Sequence, residues 1–250
     1  MSDRLKRRVK EFVRSVRPED RFHFVRDYRK LVRTLIDRHP YDEAMSLAVG
    51  GNYASTGTLL ADILIDEGLR DGNALMDLGC GSGRLASALG PRVSLKYLGY
   101  DIVPELLEYA RSKSPDGYEF RLNHSRRLPA ESASFDFVAA FSVFTHLLHE
   151  ESYLYVQDAQ RVLRPGGKLV FSFLEFQVEH HWSVFEQTVE ATRNDTLPHL
   201  NVFIEQSTIE LWAAHLGFET PVFVQPGEAG AAGRLGQSVA TLRKPADSDR

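Results

Sequence analysis

Three glycines at alternate positions, directly behind an apolar run, constrain this chain more than any other feature. The stretch ALMDLGCGSGRLASAL, Ala74 to Leu89, sets Gly79, Gly81 and Gly83 just after Asp77. Glycine costs backbone entropy and is used where the chain turns sharply or where something must approach bare backbone. An apolar run, a glycine turn and then a helical pattern opens an open α/β sheet. In such sheets the ligand lies outside the carboxyl ends of the strands, where strand order reverses.

The rest of the chain extends that alternation. After ALMDL come GRLASALG as helix, SLKYLGYD as strand, and PELLEYARSK as helix with Pro104 at its first position. YEFRL and FDFVAAF read as strands, the second apolar enough for burial on both faces. Glu150 to Leu163 reads as helix, and RPGGKLVFSFL as a turn and another buried strand. Ser207-x-x-Glu210 predicts a capping box opening a helix that Gly217 closes. FETPVFVQ and SVATLRKP are the last two strands, and the helix-free connection between them predicts a hairpin with one antiparallel strand. The order implies an α/β fold, a doubly wound, seven-stranded, mostly parallel sheet. Ahead of it, two helices are expected in the first forty residues, the second over Asp20 to Arg38 with Val25, Val32, Leu35 and Ile36 inward. A third follows from about Thr58 to Gly68, after the loop AVGGNYASTG.

Composition excludes several classes. The single cysteine, Cys80, leaves no internal disulfide and fits a reducing, cytoplasmic setting. No apolar run approaches the roughly 18 residues of a membrane span, and MSDRLKRRVKEF lacks the apolar core of a secretory signal. The net charge of −4 is uneven: Met1 to Arg38 carries 13 Lys or Arg against 6 Asp or Glu, which leaves −11 on the remainder. That basic arm suits nucleic acid, anionic lipid or an acidic substrate, or else a solvated helix face drawn to the protein's own acidic body. The stripe Leu5, Val9, Phe12, Val13 and Val16 favours an inward-packing helix, so a nucleic-acid partner is not expected.

The glycine turn narrows the ligand. The next strand ends at Asp101, 18 residues beyond Gly83, where a carboxylate can accept both ribose hydroxyls of an adenosine. A dinucleotide fingerprint reads G-x-G-x-x-G, whereas this turn reads G-x-G-x-G with Arg84 at the place of the third glycine. Asp77 ahead of it would repel a pyrophosphate and attract a ligand carrying an ammonium and a sulfonium. The charge favours S-adenosyl-L-methionine over NAD.

Taken together, MDLGCGSG, YLGYD, SFDFVAAFSVFTHL and RVLRPGGKLVFS resemble the class I S-adenosylmethionine-dependent methyltransferases in order and spacing over roughly Gly72 to Phe173. The resemblance implies their Rossmann-like fold with an antiparallel last hairpin. It implies a catalytic domain over 71–245 with a substrate-region insertion at 175–205, behind an N-terminal helical cap over 1–70 and ahead of a polar tail at 246–250. It places Asp77, Gly79, Cys80 and Gly81 at the methionine end of the cofactor, Asp101 on the ribose and Ile102 beside the adenine. Phe141 would close over the cofactor. Where the family has an acidic residue before a Leu-Pro pair, this chain has Asn123 and His124, which leaves the adenine contact to either or to backbone.

Methyl transfer to a hydroxyl needs a base. His146, a few residues past the fourth strand, is the first candidate, and His180 and His181 after the fifth are the next. Each of the three also suits a structural role, and His149 reads as a surface residue. No metal site is expected. Tyr41, Tyr53 and Trp182 are the candidate acceptor contacts, aromatic residues suited to a small hydroxylated molecule such as a sugar, a phenol or a polyketide-like metabolite. The function that follows is O-methylation of such a molecule. The alternatives are N-methylation or RNA methylation using the basic arm, and a non-catalytic methyltransferase-like scaffold.

Overall fold

The computed structural model describes residues 23–196 and 200–246. The predicted helix near the N-terminus, the residues proposed for the basic arm before position 23, and most of the polar tail lie outside them. The described chain runs α1 (His23–Arg38), α2 (Tyr41–Leu47), α3 (Tyr53–Asp66), β1 (Ala74–Leu78), α4 (Arg84–Leu89), β2 (Lys96–Asp101) and α5 (Pro104–Lys113). It continues through β3 (Glu119–Leu122), β4 (Phe135–Ala140), α6 (His149–Val162), β5 (Leu163–Phe173), α7 (Glu179–Arg193), α8 (Gln206–Leu216), β6 (Val222–Val224) and β7 (Ser238–Arg243).

The seven strands form one sheet in the order β3-β2-β1-β4-β5-β7-β6. β1 pairs in parallel with β2 on one side and β4 on the other, so strand order reverses beside β1. β7 is antiparallel to both β5 and β6, which makes it the one antiparallel strand of the sheet and matches the expected hairpin. All five residues of β1 are buried, as a strand covered on both faces requires. One face packs Leu60, Leu64, Leu85 and Leu107 against the sheet, and the other packs Tyr155, Val156, Ile209 and Ala213. A third cluster joins Val32 of α1 and Ala44 and Met45 of α2 to Leu106 and Tyr109 of α5. Each large side chain buried there contributes roughly 1.5–3 kcal/mol.

Three local expectations need correction. α3 begins at Tyr53 rather than near Thr58, because Gly50, Gly51 and Asn52 all take positive φ and complete the turn before it. α8 begins at Gln206, so Ser207 sits inside the first turn and the capping box does not form. Glu205 holds the N-cap position, and its carboxylate accepts the Phe176 N–H at 3.0 Å instead. Gly217 closes this helix at φ +74° as expected. The segment after β5, expected only as a substrate-region insertion, also carries α7, a four-turn helix.

Candidate active site

The carboxyl ends of β1, β2 and β4 meet at the reversal of strand order, and a cavity of about 360 Å³ opens there. Its floor is the glycine turn. Gly79 and Gly81 have φ of +71° and +54°, and Gly79 N–H and Cys80 N–H both donate to the Tyr100 carbonyl, at 2.8 and 2.9 Å. A Cβ on Gly79 would lie 2.5 Å from Val143 Cγ2, and one on Gly81 would lie 2.6 Å from Val49 Cγ1. Both valines line the cavity, so side chains on these glycines would occupy space that belongs to it.

Charge is concentrated at this floor. The buried Asp77 accepts the Tyr97 hydroxyl at 2.5 Å. Loss of solvent outweighs that bond and the nearby Arg84, and with Asp101 adding repulsion its carboxyl is pushed up to about 7. Burial likewise raises the Asp101 carboxyl despite three backbone donors: Gly81 on Oδ2 at 2.9 Å, Ile102 and Val103 on Oδ1 at 2.7 and 3.0 Å. A carboxylate offers about four acceptor positions, so the remaining one is on Oδ2. This differs from the expected bidentate grip: two ribose hydroxyls would have to meet chiefly one oxygen.

Arg84, which in the sequence motif marks only the place of a missing glycine, also lines the cavity and donates to the Val49 carbonyl. Its guanidinium, held somewhat below its usual range by burial, interacts with Asp77. The floor therefore presents a carboxylate and a cation together, the complement of an amino-acid zwitterion. A cation in the first turn of α4 opposes the helix dipole, and that anomaly was the available signal for it.

The other expected cofactor residues divide. Cys80, Ile102, Asn123 and Phe141 line the cavity. Asn123 also braces its own loop, giving Nδ2 to the Arg127 carbonyl at 2.9 Å and accepting Ser125 N–H at 3.0 Å. His124 is not on the wall; its imidazole Nε2 meets the Ile102 carbonyl at 3.0 Å.

Of the candidate bases, only His146 reaches the cavity. It sits on a short 3-10 turn, Phe144–His146, and its Nδ1–H donates to the Leu200 carbonyl at 2.8 Å. In the neutral ring this assigns the proton to Nδ1 and the lone pair to Nε2. His180 is exposed, and His181 is buried away from the cavity, so neither is placed to act as the base. His181 Nδ1 accepts Glu175 N–H at 3.1 Å and Nε2 donates to the Gly236 carbonyl at 3.2 Å, while burial lowers its pKa and keeps it neutral. His149 is on the surface, with Nε2 against the Phe203 carbonyl.

None of the three expected acceptor contacts lines the cavity. Tyr41 is exposed and packs edge-on against Tyr109; Tyr53 gives its hydroxyl to the Ser82 carbonyl; Trp182 lies outside with Phe176 and Phe185. The roof is built instead by Tyr28 and Leu31 of α1, by Leu47, and by the Ala48–Gly50 turn. Ser142, Tyr155 and Gln237 complete the wall. Among the described residues no group of histidine, cysteine and carboxylate side chains is disposed to hold a metal ion.

The sequence model of a methyltransferase domain matches residues 76–171, the span holding the glycine turn, Asp101 and β4. Residues 76–171 thus carry a methyltransferase domain, and the cofactor that goes with it is S-adenosylmethionine. The chain is 23% identical over 218 residues to a biotin biosynthesis bifunctional protein of Cellvibrio japonicus, covering 83% of the chain and 41% of that protein. It is 32% identical over 106 residues to a 27-O-demethylrifamycin SV methyltransferase of Amycolatopsis mediterranei, covering 40% and 38%. A ubiquinone biosynthesis O-methyltransferase of Methylocella silvestris matches at 35% over 104 residues, again 40% and 38%. The chain thus spans less than half the length of the curated relatives it matches. Among solved structures, an S-adenosylmethionine-dependent methyltransferase of Thermotoga maritima superposes with a TM-score of 0.61 at 15% identity, covering 89% of this chain and all of that one. The magnesium protoporphyrin IX methyltransferase of Synechocystis, solved with S-adenosylhomocysteine, superposes at 0.58 and 17% identity, covering 86% and 93%. At these identities the structural likeness speaks for the fold.

Proposed function

We propose that this chain methylates a hydroxyl oxygen of a small molecule. The cavity fits the cofactor of its family: its size is within the roughly 300–1,000 Å³ of small-molecule sites, its floor is bare glycine, and its charges pair with an amino acid. S-adenosylmethionine, when bound, supplies a methyl group on a sulfonium, already activated for in-line displacement. Asp77 and Arg84 would hold its ammonium and carboxylate, Asp101 its ribose, and Ile102 and Asn123 its base. What remains for the protein is to align an acceptor, exclude water and take a proton.

His146 carries the oxygen reading. Its Nδ1–H is committed to the Leu200 carbonyl, so Nε2 is the nitrogen able to accept the proton of an attacking hydroxyl. Phe141, Val143, Leu147 and Leu31 make the surrounding wall largely apolar, which suits a small organic acceptor and keeps bulk water out. The O-methyltransferases among the curated relatives support the same reading. No helix among the described residues is long and apolar enough to cross a membrane.

Methyl transfer from labelled S-adenosylmethionine to a panel of phenols and sugars tests this directly. His146→Ala should keep its affinity for S-adenosylhomocysteine and lose about a hundredfold in turnover. A loss under threefold would leave His146 with a packing role and remove the argument for oxygen.

A further inference from the structure

Gln237, the residue before β7, lines the cavity and is held with unusual completeness. Its Oε1 accepts the Ser172 hydroxyl at 2.6 Å and the Ser142 hydroxyl at 3.1 Å. Ser172 Oγ also accepts Ser142 N–H at 2.7 Å while giving its own proton to Gln237. The amide oxygen thus faces the two serines, and the planar group sets Nε2 on its other arm. Among the described residues no acceptor takes a hydrogen bond from Nε2.

The backbone on either side is pinned as well. His181 Nε2 donates to the Gly236 carbonyl, and the Ser238 hydroxyl donates to Glu175 Oε1 at 2.5 Å. Glu175 is itself buried and gathers the side-chain amides of Gln206 and Gln225 at 3.2 Å each. Ser142 completes the arrangement in a left-handed conformation, φ +56°, that a non-glycine residue keeps only where its surroundings over-determine it. Four elements thus converge to fix one amide at the cavity wall, across the carboxyl ends of β4 and β5.

Resting on the O-methylation reading, we propose that Gln237 is a specificity-determining residue whose Nε2 donates to a second oxygen of the acceptor. The substrate class is then an acceptor with two oxygen functions: one hydroxyl gives its proton to His146, and a hydroxyl, carbonyl or carboxylate elsewhere on the molecule receives Gln237. His181 and Glu175 act as positioning residues that hold this amide in place.

Catechol and phenol are the probes, since they differ by one oxygen. With the wild-type protein, kcat/KM for catechol should exceed that for phenol by about tenfold, the worth of one hydrogen bond to a neutral donor. In Gln237→Met, close in shape and without the donor, the ratio should fall to about two, the statistical advantage of two equivalent hydroxyls, while S-adenosylhomocysteine affinity stays unchanged. His181→Ala should narrow the ratio in the same direction. In the S-adenosylhomocysteine complex, the Gln237 side-chain ¹⁵N resonances, assigned by their loss in Gln237→Met, should shift on titration with catechol and much less with phenol. A catechol preference that survives undiminished in Gln237→Met overturns the proposal and leaves O-methylation standing. Resonances that shift with S-adenosylhomocysteine alone, and no further with catechol, make Gln237 a cofactor contact and also overturn it. If neither probe is methylated, O-methylation of this class fails on its own account, and the resonances still decide Gln237: a catechol-dependent shift upholds its donor role, and no shift ends it.

Discussion

Replacing Asp77 with asparagine should remove a definite pH dependence from the stability of the ligand-free protein. The Asp77 carboxyl is 3% exposed and titrates near 7 when folded, against about 3.9 when solvated. A carboxyl whose folded pKa is raised binds its proton more tightly in the folded state. Its contribution is complete below about pH 4, falls as pH rises, and is gone above about pH 7. At 1.36 kcal/mol per unit the gap corresponds to about 4 kcal/mol, of which about 2 kcal/mol lies between pH 5.5 and 7.5. Asparagine cannot ionise, so the stability difference between variant and wild type should shift by about 2 kcal/mol in the variant's favour over that interval, read by urea denaturation. Other titrating groups cancel in the difference. Ligand binding carries the opposite sign, because an ammonium prefers the ionised carboxylate. About 3% of Asp77 is ionised at pH 5.5 and about three quarters at pH 7.5, so wild-type affinity for S-adenosylhomocysteine should rise about twentyfold, while that of the variant stays nearly flat. A stability difference identical at both pH values would show Asp77 already charged in the empty cavity, and the reasoning would fail.

Asp101→Ala should weaken S-adenosylhomocysteine binding by roughly 1–3 kcal/mol in calorimetry and lower Tm as well, since three backbone donors lose their acceptor; unchanged affinity would misplace the ribose. Gly79→Ala should destabilise by about 1–3 kcal/mol, and Val143→Ala in the same chain should recover only part of that, because the clash with Val143 is relieved and the positive φ is not. Full recovery in the denaturation midpoint would reduce the glycine's role to space alone.

Much of the architecture was legible because strands buried on both faces are written as apolar runs, and one of them ends in Asp77-Leu78 with the glycines directly behind it. The turn's chemistry is local: five consecutive residues, Gly79 to Gly83, carry it, and positive φ at three of them leaves glycine as the natural choice there. The acceptor side is not local. Gln237 meets Ser142 and Ser172 across 95 and 65 residues, and no spacing announces that contact. Helix phase hid the rest. His180, His181 and Trp182 are neighbours in sequence, but successive residues of α7 point about 100° apart, so His181 turns inward while the other two face solvent. Tyr53 is likewise an aromatic whose role its sequence position does not reveal, since nothing short of the fold shows its hydroxyl spent on the Ser82 carbonyl.

The first helices do more than cover the cavity. The Ser82 hydroxyl reaches the Met45 carbonyl, Tyr53 reaches the Ser82 carbonyl, Arg84 reaches that of Val49, and Tyr28 reaches that of Ala48. Each bond ties the glycine turn, or the roof above it, to chain that precedes β1. Ligand occupancy and the folding of this N-terminal region are therefore linked in one thermodynamic cycle: whatever tightens the site also protects α1 and α2 from opening, by RT ln(1 + [L]/Kd). The same linkage runs in reverse, so a substitution at the interface of α2 with α5, far from any ligand atom, will register as lost cofactor affinity before it registers as an unfolded protein.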